Sequence, residues 1–150
     1  MEWEIYELRI TDDGLGYWFI SEGSRGRIKK VIEFQWVPGL GTSTFNLAFG
    51  DFIEGSYRLD DKSVSNSRDR LKVLHTVSAA TMEFLEGHSR SIILIRANTI
   101  PRARLYQMMI SSVWNDIREK CEVCGKHGIH WLPFIKGLNY SEFLVYKKIK

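Results

Sequence analysis

SIILIRANTIPRARLYQMMI, residues 91–110, changes its hydrophobic period halfway along. Residues 91–95 form a short continuous apolar run, the pattern of a strand covered on both faces. NTIP follows, with a capping candidate and a proline near a first helical position. From there Leu105, Met109, Val113 and Ile117 recur at helical spacing. A strand placed between two helices can pair in parallel with its neighbours, because a helical crossover returns the chain over the sheet.

The first of those helices lies upstream, where Leu71, Leu74, Val77, Ser78, Thr81, Met82 and Leu85 recur at helical spacing. Asn66 or Ser67 is its expected cap, Asp69 falls in the first turn, and Gly87 fits its stop. Before it, WEIYEL, GYWFISEG, RIKKVIEFQWV and TFNLAFGDF alternate apolar and polar residues between turn signals, as an antiparallel meander does. In the third of these, Ile28, Ile32, Phe34 and Trp36 are expected to share one face. After the second helix, CEVCG and SEFLVYKK read as strands, with HGIHWLPFIKGLNY as the loop between them. The order predicts one α+β domain over residues 1–150: a mixed, mostly antiparallel sheet flanked by two main helices.

Composition narrows the function classes. A chain of 150 residues with 44% hydrophobic content can bury a full core without staples. Its net charge of +3 is too small to imply nucleic-acid binding alone. No apolar stretch has the length of a signal peptide or a membrane span. The two cysteines are too few for a disulfide framework, so a reducing cytoplasm is the expected home. Paired catalytic carboxylates, a nucleophile elbow and a phosphate-cradling P-loop are not found.

The order of elements resembles the GNAT-type N-acetyltransferase layout, and the likeness is sharpest at IILIRANTIPRARLYQMMI. In that superfamily a buried strand ends near an asparagine, and the next helix carries an Ala-x-x-Leu-Tyr-like pattern. Asn98, Ala103, Leu105 and Tyr106 stand in roughly those places. The resemblance implies acetyl-CoA as acyl donor, Tyr106 as the acid that protonates the departing thiolate, and Asn98 as a cofactor contact. It also implies a pyrophosphate site at the start of the first helix, where SNSRDRLKVL offers Asn66, Arg68 and Arg70 but lacks the superfamily's glycines. The glycine expected near the end of the tyrosine helix is replaced by MMISS. The chain also looks like a family of uncharacterised bacterial domains through SEGSRGRIKKVIEF, FNLAFGD, VSNSRDRLKVL and RARLYQMM.

The missing glycines keep a second expectation open: a non-enzymatic module. It would use Arg25, Arg27, Lys29, Arg68 and Arg70 to bind nucleic acid or a protein partner, possible toxin–antitoxin components included. A solvated strand face is the more ordinary role for the run Arg25 to Lys30. Arg96, at the end of the buried strand, faces a possible sheet crevice. Arg102 and Arg104, at the start of the second helix, are expected on the surface. His75 is expected as a satisfied helix residue and His88 as an exposed one.

Cys121, Cys124, His127 and His130 form the other candidate cluster, resembling a zinc knuckle. All four lie within ten residues, whereas zinc knuckles are normally separated by a longer insert. A terminal strand with Cys121 and Val123 on one face, followed by a histidine-bearing turn, accounts for the same residues and is the expectation adopted.

Overall fold

The computed structural model describes residues 3–40, 43–52, 59–60 and 69–149. The chain runs β1 (Arg9–Ile10), β2 (Gly16–Gly23), β3 (Gly26–Trp36), β4 (Thr44–Phe52), β5 (Leu59–Asp60), α1 (Arg70–Gly87), β6 (Ile92–Arg96), α2 (Ile100–Ile117), β7 (Cys121–His127), β8 (His130–Pro133) and β9 (Glu142–Lys147). It is an α+β domain: one nine-stranded sheet in the order β1-β2-β3-β4-β6-β9-β7-β8, with β5 on β4. Every pairing is antiparallel except β4 with β6.

Strand parity decides what is buried. Phe19, Ile32, Phe49, Ile95, Phe143 and Val123 fall on one continuous face, because the registers align them across the sheet. Both helices cover that face. Phe84 of α1 stacks on Phe34 at 4.2 Å and meets Phe45 at 5.2 Å. Trp114 of α2 packs on Phe134 at 4.9 Å. The aromatic content of the sequence is spent here, in ring contacts between sheet and helices.

Both helices follow their sequence signals, with one boundary difference. Thr99 caps α2, accepting from the Arg102 amide at 3.2 Å, with proline in the first turn. α1 ends at Gly87 as expected, but among the described residues it starts at Arg70, with Asp69 at the cap position. The expected caps Asn66 and Ser67 lie outside the described residues. Leu71 is exposed rather than packed, while Val73, Ala80 and Phe84 join the core. The buried face of α1 is therefore wider than a narrow apolar stripe.

Three further expectations are corrected. Residues 3–8 are not a strand: they cross α1, with the Tyr6 amide donating to Thr76 Oγ1 at 2.9 Å and the Trp3 indole to Asp116 at 2.7 Å. Trp3 is anchored on the helices, while Tyr6 bridges α1 and β2, stacking on Phe19 at 5.6 Å without joining a strand ladder. Trp36 is exposed although its parity partners Ile32 and Phe34 are buried, because it sits at the end of β3 beyond the helical cover. The loop after β7 contains a strand of its own, β8, closed onto β7 by a two-residue turn at Gly128–Ile129. Gly128 has φ +63°, the conformation that such a tight hairpin turn requires of its first central residue. No helix among the described residues is long and apolar enough to cross a membrane.

Candidate active site where two parallel strands diverge

β4 and β6 pair over only three residues each: Thr44 with Ile92, Phe45 with Ile93 and Asn46 with Leu94. Beyond that point β4 stays with β3 as far as Asp51, and β6 stays with β9 as far as Arg96. Each strand keeps its antiparallel neighbour and abandons its parallel one. A cavity of about 300 Å³ opens in the divergence. Its walls are Asn46 to Phe49 from β4, Arg96 and Asn98 from the end of β6, and Arg102 and Tyr106 from α2.

The helix geometry explains why these side chains meet. Asn98, Arg102 and Tyr106 are four residues apart, so the last two lie on one face of α2 and the first just before its cap. Arg102 Nη2 donates to the Phe49 carbonyl at 2.6 Å and to the Tyr106 hydroxyl at 3.2 Å. The guanidinium therefore serves a β4 carbonyl on the side where β6 has turned away, and a charge-assisted donor suits that position. Its carbon lies 5.4 Å from the Tyr106 ring centroid. Arg102 is thus half-buried and engaged rather than a surface arginine, a correction that follows from β4 leaving a carbonyl within its reach. Tyr106 is only 3% exposed: its ring belongs to the core and contributes the inner wall of the gap.

The remaining predicted residues are distributed as follows. Asn98 is exposed and borders the gap. Arg96 borders it too, with Nε 3.3 Å from Glu142. Arg70 is exposed in the first turn of α1 and does not line the gap. Asn66 and Arg68 lie outside the described residues. Asp69 at the α1 cap position accepts from the Tyr6 hydroxyl at 2.5 Å, which puts a carboxylate near the helix terminus where the resemblance implies phosphates.

A second cavity, of about 340 Å³, flanks the other side of the α2 start. Residues Ala97 to Ile100, Ala103, Arg104 and Gln107 form one wall, and Asn139 to Ser141 of the loop before β9 form the other. Asn98 borders both cavities. Arg104 was expected on the surface and is exposed.

The basic run of β3 splits by parity. Arg27 lies 3.6 Å from Glu22, and Lys29 sits over Trp18 at 4.6 Å and Phe52 at 4.7 Å. Lys30 is the correction: it is 2% exposed, points into the helix-covered face, and pairs with Asp51, which also lies 3.4 Å from Arg25. Parity was the missed signal, since Lys30 shares it with Ile28, Ile32 and Phe34. His88 is likewise half-buried rather than exposed, stacked on Phe84 at 4.1 Å with Nδ1 donating to the Phe84 carbonyl.

β7 separates the two cysteines. Cys121 is buried beside Met82 of α1, 3.7 Å between sulfurs, while Cys124 faces the opposite side of the sheet and bonds Tyr146. Burial raises both thiols above their ordinary value, Cys121 to about 11. His127 and His130 face each other across the hairpin end. Among the described residues no group of three or more His, Cys, Asp or Glu is placed to hold a metal ion.

A family model described as a family of unknown function, DUF6934, matches residues 2–148. Neither the curated proteins nor the solved structures contain a match.

Proposed function

Since the chain belongs to DUF6934, a family of unknown function, its chemistry has to be read from its site, and we propose an acyl-CoA-dependent N-acyltransferase of GNAT-like layout. The observation that carries this is the divergence of β4 from β6, with Tyr106 and Arg102 in the wall of the gap. The element order supports it as well: an antiparallel meander, a helix, a parallel strand, a helix, and a last strand inserted between β6 and β7.

In this mechanism an acyl thioester enters the gap from the open ends of β4 and β6. A neutral amine attacks the thioester carbonyl, forming the C–N bond. A backbone amide of β4 on the gap side stabilises the oxyanion. The C–S bond then breaks, and the thiolate takes the Tyr106 proton. The surplus proton on nitrogen passes to water at the cavity mouth, and water returns a proton to the Tyr106 phenolate. Arg102, itself fixed on the Phe49 carbonyl of β4, holds the phenol in place. For the coenzyme's phosphates, Arg70 is the described cation at the α1 start, together with Arg68 from outside the described residues. Asn98 would contact the coenzyme at the end of β6.

Calorimetry with coenzyme A and turnover of acetyl-CoA by the full chain test this directly. Tyr106→Phe is expected to leave coenzyme A affinity within about twofold while lowering kcat by about 10²-fold, the usual size for loss of a general acid. Absence of coenzyme A binding at millimolar ligand removes the enzyme and leaves the alternative, a non-enzymatic binding module of the same layout. Binding to RNA or DNA that falls steeply with salt would then identify its partner class.

A further inference from the structure

We infer that the second cavity, beside α2, is the site for the acyl acceptor, and that the acceptor is a small molecule of amino-acid type carrying a carboxylate and an N–H donor. This rests on the acyltransferase reading for its purpose, but not for its chemistry. The cavity holds about 340 Å³, enough for a small metabolite and too little for a folded partner.

Its lining is chemically one-sided. Arg104 is the charged residue in the wall, and among the described residues no carboxylate lines it. A polycationic acceptor, such as a polyamine or a lysine-rich peptide, would meet a cation there and no counter-charge. A carboxylate would meet the Arg104 fork, with Asn139 and Ser141 in the opposite wall.

Gln107 supplies the complementary half. Its Nε2 donates to the Leu138 carbonyl at 2.7 Å, which fixes the amide orientation and leaves Oε1 as an acceptor. Among the described residues, Oε1 is the one shielded side-chain polar atom without a hydrogen-bond partner. A shielded acceptor without a donor is unfavourable, and a turn of the Gln107 side chain that brings Oε1 to a ligand N–H in the cavity removes the penalty. Asn98 borders both cavities, so an amine held here is next to the gap at the start of α2.

The test is calorimetry and amide chemical-shift mapping on the full chain without coenzyme A. The probes are glycine, L-leucine and L-glutamate on one side and spermidine on the other. Amino acids are expected to bind, shifting resonances of Ala103, Gln107 and Ser141. Arg104→Glu, at an exposed position that leaves folding intact, should weaken binding by about tenfold or more, as loss of a charge-assisted contact does. Gln107→Leu should also weaken it, and Arg104→Ala gives an independent reading if that variant fails to fold. Preference for spermidine, equal binding by the Arg104 variants, or no amino-acid binding overturns the inference. Amino-acid binding by a chain that ignores coenzyme A keeps this site and removes the acyltransferase.

Discussion

Lys29 and Lys30 are neighbours in the chain and meet opposite environments. Lys29 lies across Trp18 and Phe52 on the sheet face away from the helices, with its ammonium near solvent. Lys30 enters the core face between Phe19 and Asp51, its register partners on β2 and β4. A buried ammonium is tolerated only because Asp51 meets it. Lys30→Met is expected to destabilise the fold by about 3 kcal/mol, through the carboxylate left behind, as denaturant titration would measure. Asp51→Asn in the same background should recover part of that loss, and simple loss of packing would not be recovered. The thiols make a second residue-scale case. Burial pushes Cys121 up to about 11, and 1% of it is exposed. In the native protein, iodoacetamide at mildly alkaline pH should modify Cys124 and spare Cys121 until denaturant is added. Equal rates for both would contradict the packing of Cys121 on Met82.

At the scale of elements, β7 is coupled to the end of the domain through a glycine. A Cβ on Gly125 would lie 2.2 Å from Cγ of Tyr140. That ring cannot easily move: its hydroxyl accepts from the Ile135 amide at 3.0 Å and donates to the Pro133 carbonyl at 3.3 Å. The ring also packs on Phe134 and Phe143. Gly125→Ala is expected to cost about 1–3 kcal/mol by overpacking, read as a lowered denaturation midpoint. Because Tyr140 and Ser141 border the proposed acceptor cavity, the same variant should weaken amino-acid binding more than coenzyme A binding. The pairing of β4 with β6 is the other element-scale event. Three residues of parallel ladder hold the sheet together, and the divergence that follows creates the gap without breaking either antiparallel neighbour.

For the molecule as a whole, the N-terminal segment ties α1 to α2. Trp3 lies 5.9 Å from the His75 ring, and His75 Nε2 lies 3.2 Å from Ser112 of α2. Burial lowers the His75 pKa, and Asp116 of α2 opposes that shift without cancelling it. A folded value below the unfolded one means that the unfolded chain binds the extra proton first. The contribution is complete above the ordinary imidazole range and is lost as pH falls through it. Stability should therefore drop between about pH 7.5 and pH 5, and His75→Gln should flatten that part of the profile. An unchanged profile in His75→Gln would place the titration elsewhere.

Local signals carried much of the fold. The period change within residues 91–110, the threonine and proline that open α2, and the glycine that ends α1 each act over a few neighbouring residues, so the sequence alone determined the α+β class, both helices and most strands. Residues 3–8 show the limit, because alternation there reflects side-chain anchors on α1, α2 and β2 rather than a paired strand. Tyr106 and Asn98 were singled out through the GNAT resemblance, and both line the gap. Arg102, Gln107 and Lys30 were not, because their roles depend on Phe49, Leu138 and Asp51, residues 53, 31 and 21 positions away along the chain. Only the tertiary structure decided where β4 and β6 part, which carbonyl that leaves for a guanidinium, and which side chains face each cavity. Such contacts are set by register and packing between distant segments, and no local pattern encodes them.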